Sequence, residues 1–336
     1  MISQSSSERL DWLDGWRGIS VLFVLTSHVS AHFFAKGPAS EILEPLGYIG
    51  VLVFFAISGF IITLLAKSEV NQNGNFNIGK FYGRRILRIV PPLLVYVIFI
   101  VLTGLADTSQ SLRAISFTCN IAVDDIPSCG WIFGHFWSLA FEEQFYLIFP
   151  FLFLRRFSIL LLPALAFAAL PFAMPVQFIG KTGFIQIILV MCLGCIAALN
   201  EERLGKALSS ISKVAGVLLV CSAGLVYFWA ISDVGFMRKV MAPATSFLII
   251  FIVIGGPMLY PSLRSILASL PLRTLGLYSY SVYLWQQYFT RQEAGEGLAD
   301  ATIAVVLTLF AAIISFYTIE AYFKRLSKQF FSTRSV

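Results

Sequence analysis

Charge is scarce in this sequence. Asp, Glu, Lys and Arg make up only 12% of its 336 residues, about half of the roughly 25% carried by a soluble domain. Together with 58% hydrophobic residues and a mean hydropathy of +0.82, that shortage excludes a water-soluble globular enzyme. Histidine is scarcer still, at three residues, and no His, Cys or acidic group has metal-ligand spacing, so no metal is expected. No basic run interleaved with aromatics is present, and the net charge of +6 therefore does not point to nucleic acid. Apolar and polar residues do not alternate as they do in barrel strands, over roughly 10 residues; the apolar runs are about 20 long, the length of a membrane-crossing helix. No small-residue cleavage site follows the first of them, which reads as a retained span rather than a signal peptide. The fold class is all-α, a polytopic transmembrane helical bundle.

Ten spans are predicted, near 16–35, 47–66, 86–105, 135–154, 157–173, 182–199, 213–231, 240–259, 274–290 and 301–321. Orientation checks the count. With both termini cytoplasmic, the outside segments hold Lys36, Arg113, Lys181, Arg238, Lys239 and Arg291, and the other 18 of 24 Lys and Arg fall inside, in the sense of the positive-inside rule. Removing one middle span would invert everything after it and spoil the bias. The longest loops, about 66–85 and 106–134, are too short for a separate core. The chain reads as a single domain, 1–336, without internal repeats.

A charge at bilayer depth costs at least ~2.5–3.5 kcal/mol, so each intramembrane ionisable residue is a functional hypothesis. The residues concerned are His28, Glu142, Glu143 and Glu320, with Arg17 and His135 at the edges. Arg17 and His28 share one face of the first helix, ~16 Å apart along its axis, and His32 follows one turn on. Glu142 lies ~10 Å below the outer boundary, the depth of His28. A carboxylate and an imidazole at one depth suit a general-base dyad; the plainer alternative is an ion pair that holds two helices together. Glu142 and Glu143 point about 100° apart and cannot both face one partner. Arg84, Arg85 and Arg88 cluster near the start of the third span, at spacings that place guanidinium groups side by side. They read either as a phosphate cradle or as an anchor for lipid head groups.

These residues carry a family resemblance. The chain resembles the acyltransferase-3 family of integral membrane O-acyltransferases from end to end, about 11–325, in five ordered blocks. They are Leu13-Asp14-Gly15-Trp16-Arg17-Gly18 with His28; 50–62 (GVLVFFAISGFII); Phe81-Tyr82 with Arg85, Arg88 and Pro91-Pro92; Trp137-Ser138-Leu139 with Glu142 to Tyr146; and 279–285 (SYSVYLW). The resemblance implies an enzyme of the bacterial cytoplasmic (inner) membrane. It would take an acyl group, commonly acetyl, from acyl-CoA and pass it to a hydroxyl of a cell-surface carbohydrate or glycolipid acceptor. It also implies that His28 is the base or acyl-handling residue, Glu142 its partner with Glu143 beside it, and Arg85 and Arg88, with Arg84 and Arg17, contacts to coenzyme A. Oxyanion donors would come from among Ser138, Tyr146, Tyr280 and Tyr283.

The chain departs from the family pattern in three blocks. Gln286 and Tyr288 stand where many members have His and Pro, Leu52 replaces a frequent acidic residue, and Glu320 is followed by Ala321-Tyr322 instead of Arg-Pro. A structural role for Glu320 at the inner boundary follows. No SGNH-type domain is fused, so handover to a second acyl carrier would need another protein. Cys119 and Cys129 share an outside loop in which an oxidising compartment permits a disulfide. Cys192 and Cys195 read as small residues at a helix contact, and Cys221 as a core residue. The rival reading is a transporter or flippase of a lipid-linked glycan, against which the missing repeat counts.

Overall fold

Long apolar runs with few breakers become helices, and in the computed structural model every regular element among the described residues is a helix. Those residues are 11–34, 37–121, 129–154, 180–210, 212–231, 235–291 and 295–331; the span expected at 157–173 lies outside them. In chain order the helices are α1 (Asp11–Phe33), α2 (Pro38–Asn73), α3 (Ile78–Leu102), α4 (Thr108–Ile115), α5 (Phe136–Leu154), α6 (Gly180–Leu199), α7 (Glu201–Ser210) and α8 (Ser212–Ile231). They continue with α9 (Gly235–Ile250), α10 (Gly256–Leu259), α11 (Pro261–Leu267), α12 (Leu270–Phe289), α13 (Gly297–Ser315) and α14 (Ala321–Phe331). Two π-helical turns, Phe251–Gly255 and Phe316–Glu320, interrupt the runs from α9 to α10 and from α13 to α14. Glu320 closes the second of these, a position where the backbone already departs from regular i→i−4 pairing.

Five stretches are long and apolar enough to cross a bilayer: Ser40–Asn73, Ile78–Leu102, Val214–Ile231, Met241–Leu259 and Gly297–Phe331. A sixth arises if α6 and α7, bent by 90° at Asn200, count as one. Helices α1, α5 and α12 have 23, 19 and 20 residues, about 28 Å or more at 1.5 Å per residue, but their polar side chains lower their hydropathy. The faces of α8 and α13 stay apolar and exposed, as at Val217, Val220, Ile303 and Phe310, which suits a lipid solvent.

The third helix starts earlier than its sequence suggests. Asn77 caps it, its side chain accepting from the Lys80 amide at 2.9 Å, so the unpaired N–H groups of the first turn belong to residues near 78–81. Arg84, Arg85 and Arg88 therefore lie beyond that first turn, and the expected help from a helix N-terminus does not reach them. Pro91 and Pro92 sit inside the helix rather than at its opening.

The chain forms two compact units, one from 1–64, 185–283 and 295–301, the other from 65–184, 284–294 and 302–336. In the first unit, backbones approach where side chains are absent. A Cβ on Gly15 would lie 1.9 Å from the Leu267 carbonyl oxygen, and one on Gly276 1.8 Å from that of Asp14. Likewise a Cβ on Gly59 would meet the Met191 oxygen at 2.1 Å. Such contacts are how membrane helices gain dispersion energy where lipid leaves no hydrophobic drive. Cys195 joins this contact, donating to the Gly59 carbonyl at 3.3 Å. Cys221, expected in the core, is exposed: it lies on α8, whose faces are largely open.

The second unit is aromatic. Phe76, Phe81, Phe149 and Phe153 stack at 5.2–5.8 Å between centroids, and α14 lies along α3 with the Phe331 ring over Gly83. At the other end of α3, Tyr96 is fully buried among Phe133, His135, Phe136 and Trp285. The segment after α4 is fixed to α5. Cys119 and Cys129 are disulfide-bonded, and Gln144 exchanges amide hydrogen bonds with Asn120 at 2.9 and 3.0 Å. Gln144 also donates to the carbonyl of Phe117, a non-glycine residue held at φ 54°, a strained conformation that persists only where neighbours impose it.

Candidate active site

In the first unit the candidate residues lie along α1. Arg17 pairs with Asp14 at 3.6 Å, one helical turn away on the same helix. Further along, His28 has a buried Nδ1 that no group among the described residues contacts by hydrogen bond. The Trp16 indole nitrogen and the Ser279 hydroxyl of the same unit are buried in the same state. His28 interacts electrostatically with His32, and His32 in turn with Glu44 of α2. Glu44 is well held: its carboxylate accepts from Ser40 at 2.5 Å, and its backbone carbonyl from Ser27 of α1 at 2.7 Å. The sequence reading missed Glu44. It stands in the polar opening of α2, where a carboxylate looks like a solvated helix-start residue, and only the packing of α2 on α1 brings it near the histidines.

In the second unit the three arginines separate. Arg84 is fully engaged in architecture: it pairs with the buried Glu69 at 2.6 Å and donates to the Phe331 carbonyl at 3.3 Å. The other Glu69 oxygen accepts from the Asn77 amide at 3.1 Å, so Arg84 ties the end of α2, the start of α3 and the end of α14 together. The residue expected at the donor is thus held here in contacts between helices. Arg85 instead lies flat on the Tyr146 ring, 4.2 Å from its centroid, a cation–π contact across to α5. Tyr146 donates to Glu142 at 2.5 Å, one turn back on the same helix. Glu143 shares the local field of Glu142, Arg85 and Arg88, and its Oε1 is buried without a hydrogen-bond partner among the described residues.

The two acidic residues, Arg85 and Arg88 thus form one charged group between α3 and α5. The sequence reading had set the arginines at one membrane face and the carboxylates toward the other. Packing closes that gap: Tyr82 donates to the Leu147 carbonyl at 2.6 Å, which fixes the register of α3 on α5, and Arg85 reaches the Tyr146 ring across it. Of the proposed oxyanion donors, Tyr146 is committed to Glu142, and Ser138 donates to the His135 carbonyl at 3.3 Å. A hydroxyl or thioester meeting such a group would find fixed cations, a phenol and carboxylates. That is the equipment for binding an anionic donor and moving a proton.

The family described as "Acyltransferase domain", acyltransferase-3, matches residues 10–320. The chain belongs to that family. Among curated proteins it is similar to the O-acetyltransferase OatA of Staphylococcus aureus strain NCTC 8325 / PS 47, 28% identical over 94% of this chain and 57% of the relative. OatA of strain COL matches to the same extent. The chain thus spans a little over half the length of these relatives. No solved structure matches it. The chain is thus a member of this family, and among its described residues at least five helices are long and apolar enough to cross a membrane.

Proposed function

We propose that this acyltransferase moves an acyl group, most readily acetyl, from acyl-CoA to a hydroxyl of a cell-surface carbohydrate or related acceptor. The family match over 10–320 carries this reading, and the likeness, over 94% of this chain and 57% of the relative, to a protein named O-acetyltransferase supports the choice of acetyl and oxygen. The hydroxyl oxygen attacks the thioester carbonyl carbon, the new C–O bond forms as the C–S bond breaks, and the hydroxyl proton passes to His28 while the thiolate leaves as coenzyme A. The free Nδ1 of His28 fits that task. Arg85 and Arg88 are assigned to the phosphates of the donor, with Arg17 as a further contact, because guanidinium forks match phosphate oxygens. Glu142 and Glu143 would orient and balance these cations. Ten spans, both termini in the cytoplasm and residence in the bacterial inner membrane complete the proposal, resting on the 18-to-6 distribution of Lys and Arg.

Membranes containing the protein, given radiolabelled acetyl-CoA and a glycan fraction, should transfer label to the glycan. His28→Ala should lower the rate by about 10²-fold or more, the range of general-base catalysis, while the protein stays inserted. Unimpaired transfer by that variant would remove His28 from the mechanism. Absence of label with the wild type would favour a flippase instead.

A further inference from the structure

Helix α12 ends in three consecutive polar side chains that the acyl-transfer chemistry above does not use. Gln286 is fully buried, and both ends of its amide, Nε2 and Oε1, lack a hydrogen-bond partner among the described residues. Its neighbours share the condition in part. Trp285 keeps its indole N–H unmet, although its ring is packed against Tyr96 at 5.4 Å and Phe99 at 5.1 Å. Gln287 spends its amide nitrogen on the Trp131 carbonyl at 2.8 Å and leaves Oε1 unmet. Tyr96 nearby gives its hydroxyl proton to the Ile132 carbonyl at 3.3 Å and so has none to donate to either glutamine oxygen. Burying an amide unpaired costs more than a membrane helix gains from it, and three such groups in a row are not an accident of packing. Gln286 lies about 100° from each neighbour around the helix, so the three side chains face different directions, and Gln286 is the one that offers both a donor and an acceptor.

The unmet valences specify the ligand. Trp285 and Gln286 offer N–H donors, while Gln286 and Gln287 offer carbonyl acceptors. A thioester carbonyl or a phosphate accepts only and would leave both glutamine oxygens unsatisfied. A hydroxyl both donates and accepts, and a pair of adjacent hydroxyls matches the amide of Gln286 end for end. We propose that the amide of Gln286 holds the hydroxyl-bearing acceptor, a sugar or other polyol, and that Gln286 is the specificity-determining residue of that subsite. The identity of the occupant as acceptor rests on the acyl-transfer reading; its polyol chemistry does not.

The test uses the full chain in lipid nanodiscs, with Gln286→Met, which keeps length and removes both valences, and Gln286→His, which keeps one donor and one acceptor. Saturation-transfer NMR with methyl β-glucoside, without donor, should detect contact in the wild type, weaker contact in Gln286→His and none in Gln286→Met. Thermal unfolding should show Gln286→Met at least as stable as wild type, because its amide serves no protein group. In the radiolabel assay Gln286→Met should raise the acceptor KM about tenfold or more, the value of two lost neutral hydrogen bonds, with the acetyl-CoA KM unchanged. Equal glucoside contact in wild type and Gln286→Met, or none in either, overturns the subsite, as does a marked loss of stability in Gln286→Met. Glucoside contact that depends on Gln286 in a wild type transferring no label upholds the subsite and overturns the donor reading alone.

Discussion

Arg84, Arg85 and Arg88 are one residue type within five positions, yet the structure gives them different tasks. Arg84→Ala would leave the buried Glu69 carboxylate without its cation and free the end of α14. The expected cost is about 2 kcal/mol, below the full penalty of a buried pair because the arginine is partly open to its surroundings. Thermal unfolding in detergent should register it, with the acetyl-CoA KM unmoved. Arg88→Ala should do the reverse, raising that KM several-fold with little effect on stability. Tyr146→Phe removes the donor on Glu142 and loosens the seat of Arg85; a fall in kcat of about tenfold is expected, the value of one hydrogen bond to a charged acceptor. The cluster of Arg84, Arg85 and Arg88 was legible in the sequence, either as a phosphate cradle or as an anchor for lipid head groups. That its first member is structural was not, because Glu69 and Phe331 lie 15 and 247 positions away, and no local spacing rule reaches them.

Among the helices, α1 shows what a motif can hide. Its block around Trp16 and Arg17 reads as chemistry, and Arg17 and His28 do share a face, but Gly15 and Gly18 serve the crossing with α11 and α12. Gly276→Ala would drive a methyl into the Asp14 carbonyl, 1.8 Å away, so α1 and α12 must part. Overpacking of this kind costs about 1–3 kcal/mol, and a lowered unfolding temperature with reduced yield of folded protein is the expected readout. The existence of α1, α5 and α12 was legible despite their polar residues, since apolar periodicity and positive-inside counting demanded helices there. Their boundaries were less so: α2 and α3 run to within a four-residue turn, 74–77, because Asn77 caps α3 and Gly74 takes φ 73°. Sequence hydropathy registers the apolar stretch and not the polar turns of helix that extend it.

For the whole molecule, the sparse charge that opened the sequence analysis remains the strongest determinant. A chain with so few charged residues and apolar runs about 20 long must satisfy its backbone internally, and in lipid that leaves helices. The proposed orientation rests on the same few charges, and it is testable: a green fluorescent protein fused after Val336 should fluoresce, whereas alkaline phosphatase fused there should be inactive. The reverse result at the C-terminus would invert the assigned topology. The all-helical class followed from residue type and run length, and the family from the likeness of its ordered blocks. Only the tertiary structure decided that Arg84 belongs to Glu69, that Arg85 and Tyr146 bring the cations to the carboxylates, that Glu44 joins the histidines, and that Gln286 is buried with both ends of its amide unmet. Each is a matter of which helix lies against which, at what register. That choice is made by glycine contacts and ring packing between residues distant in the chain, where periodicity carries no information.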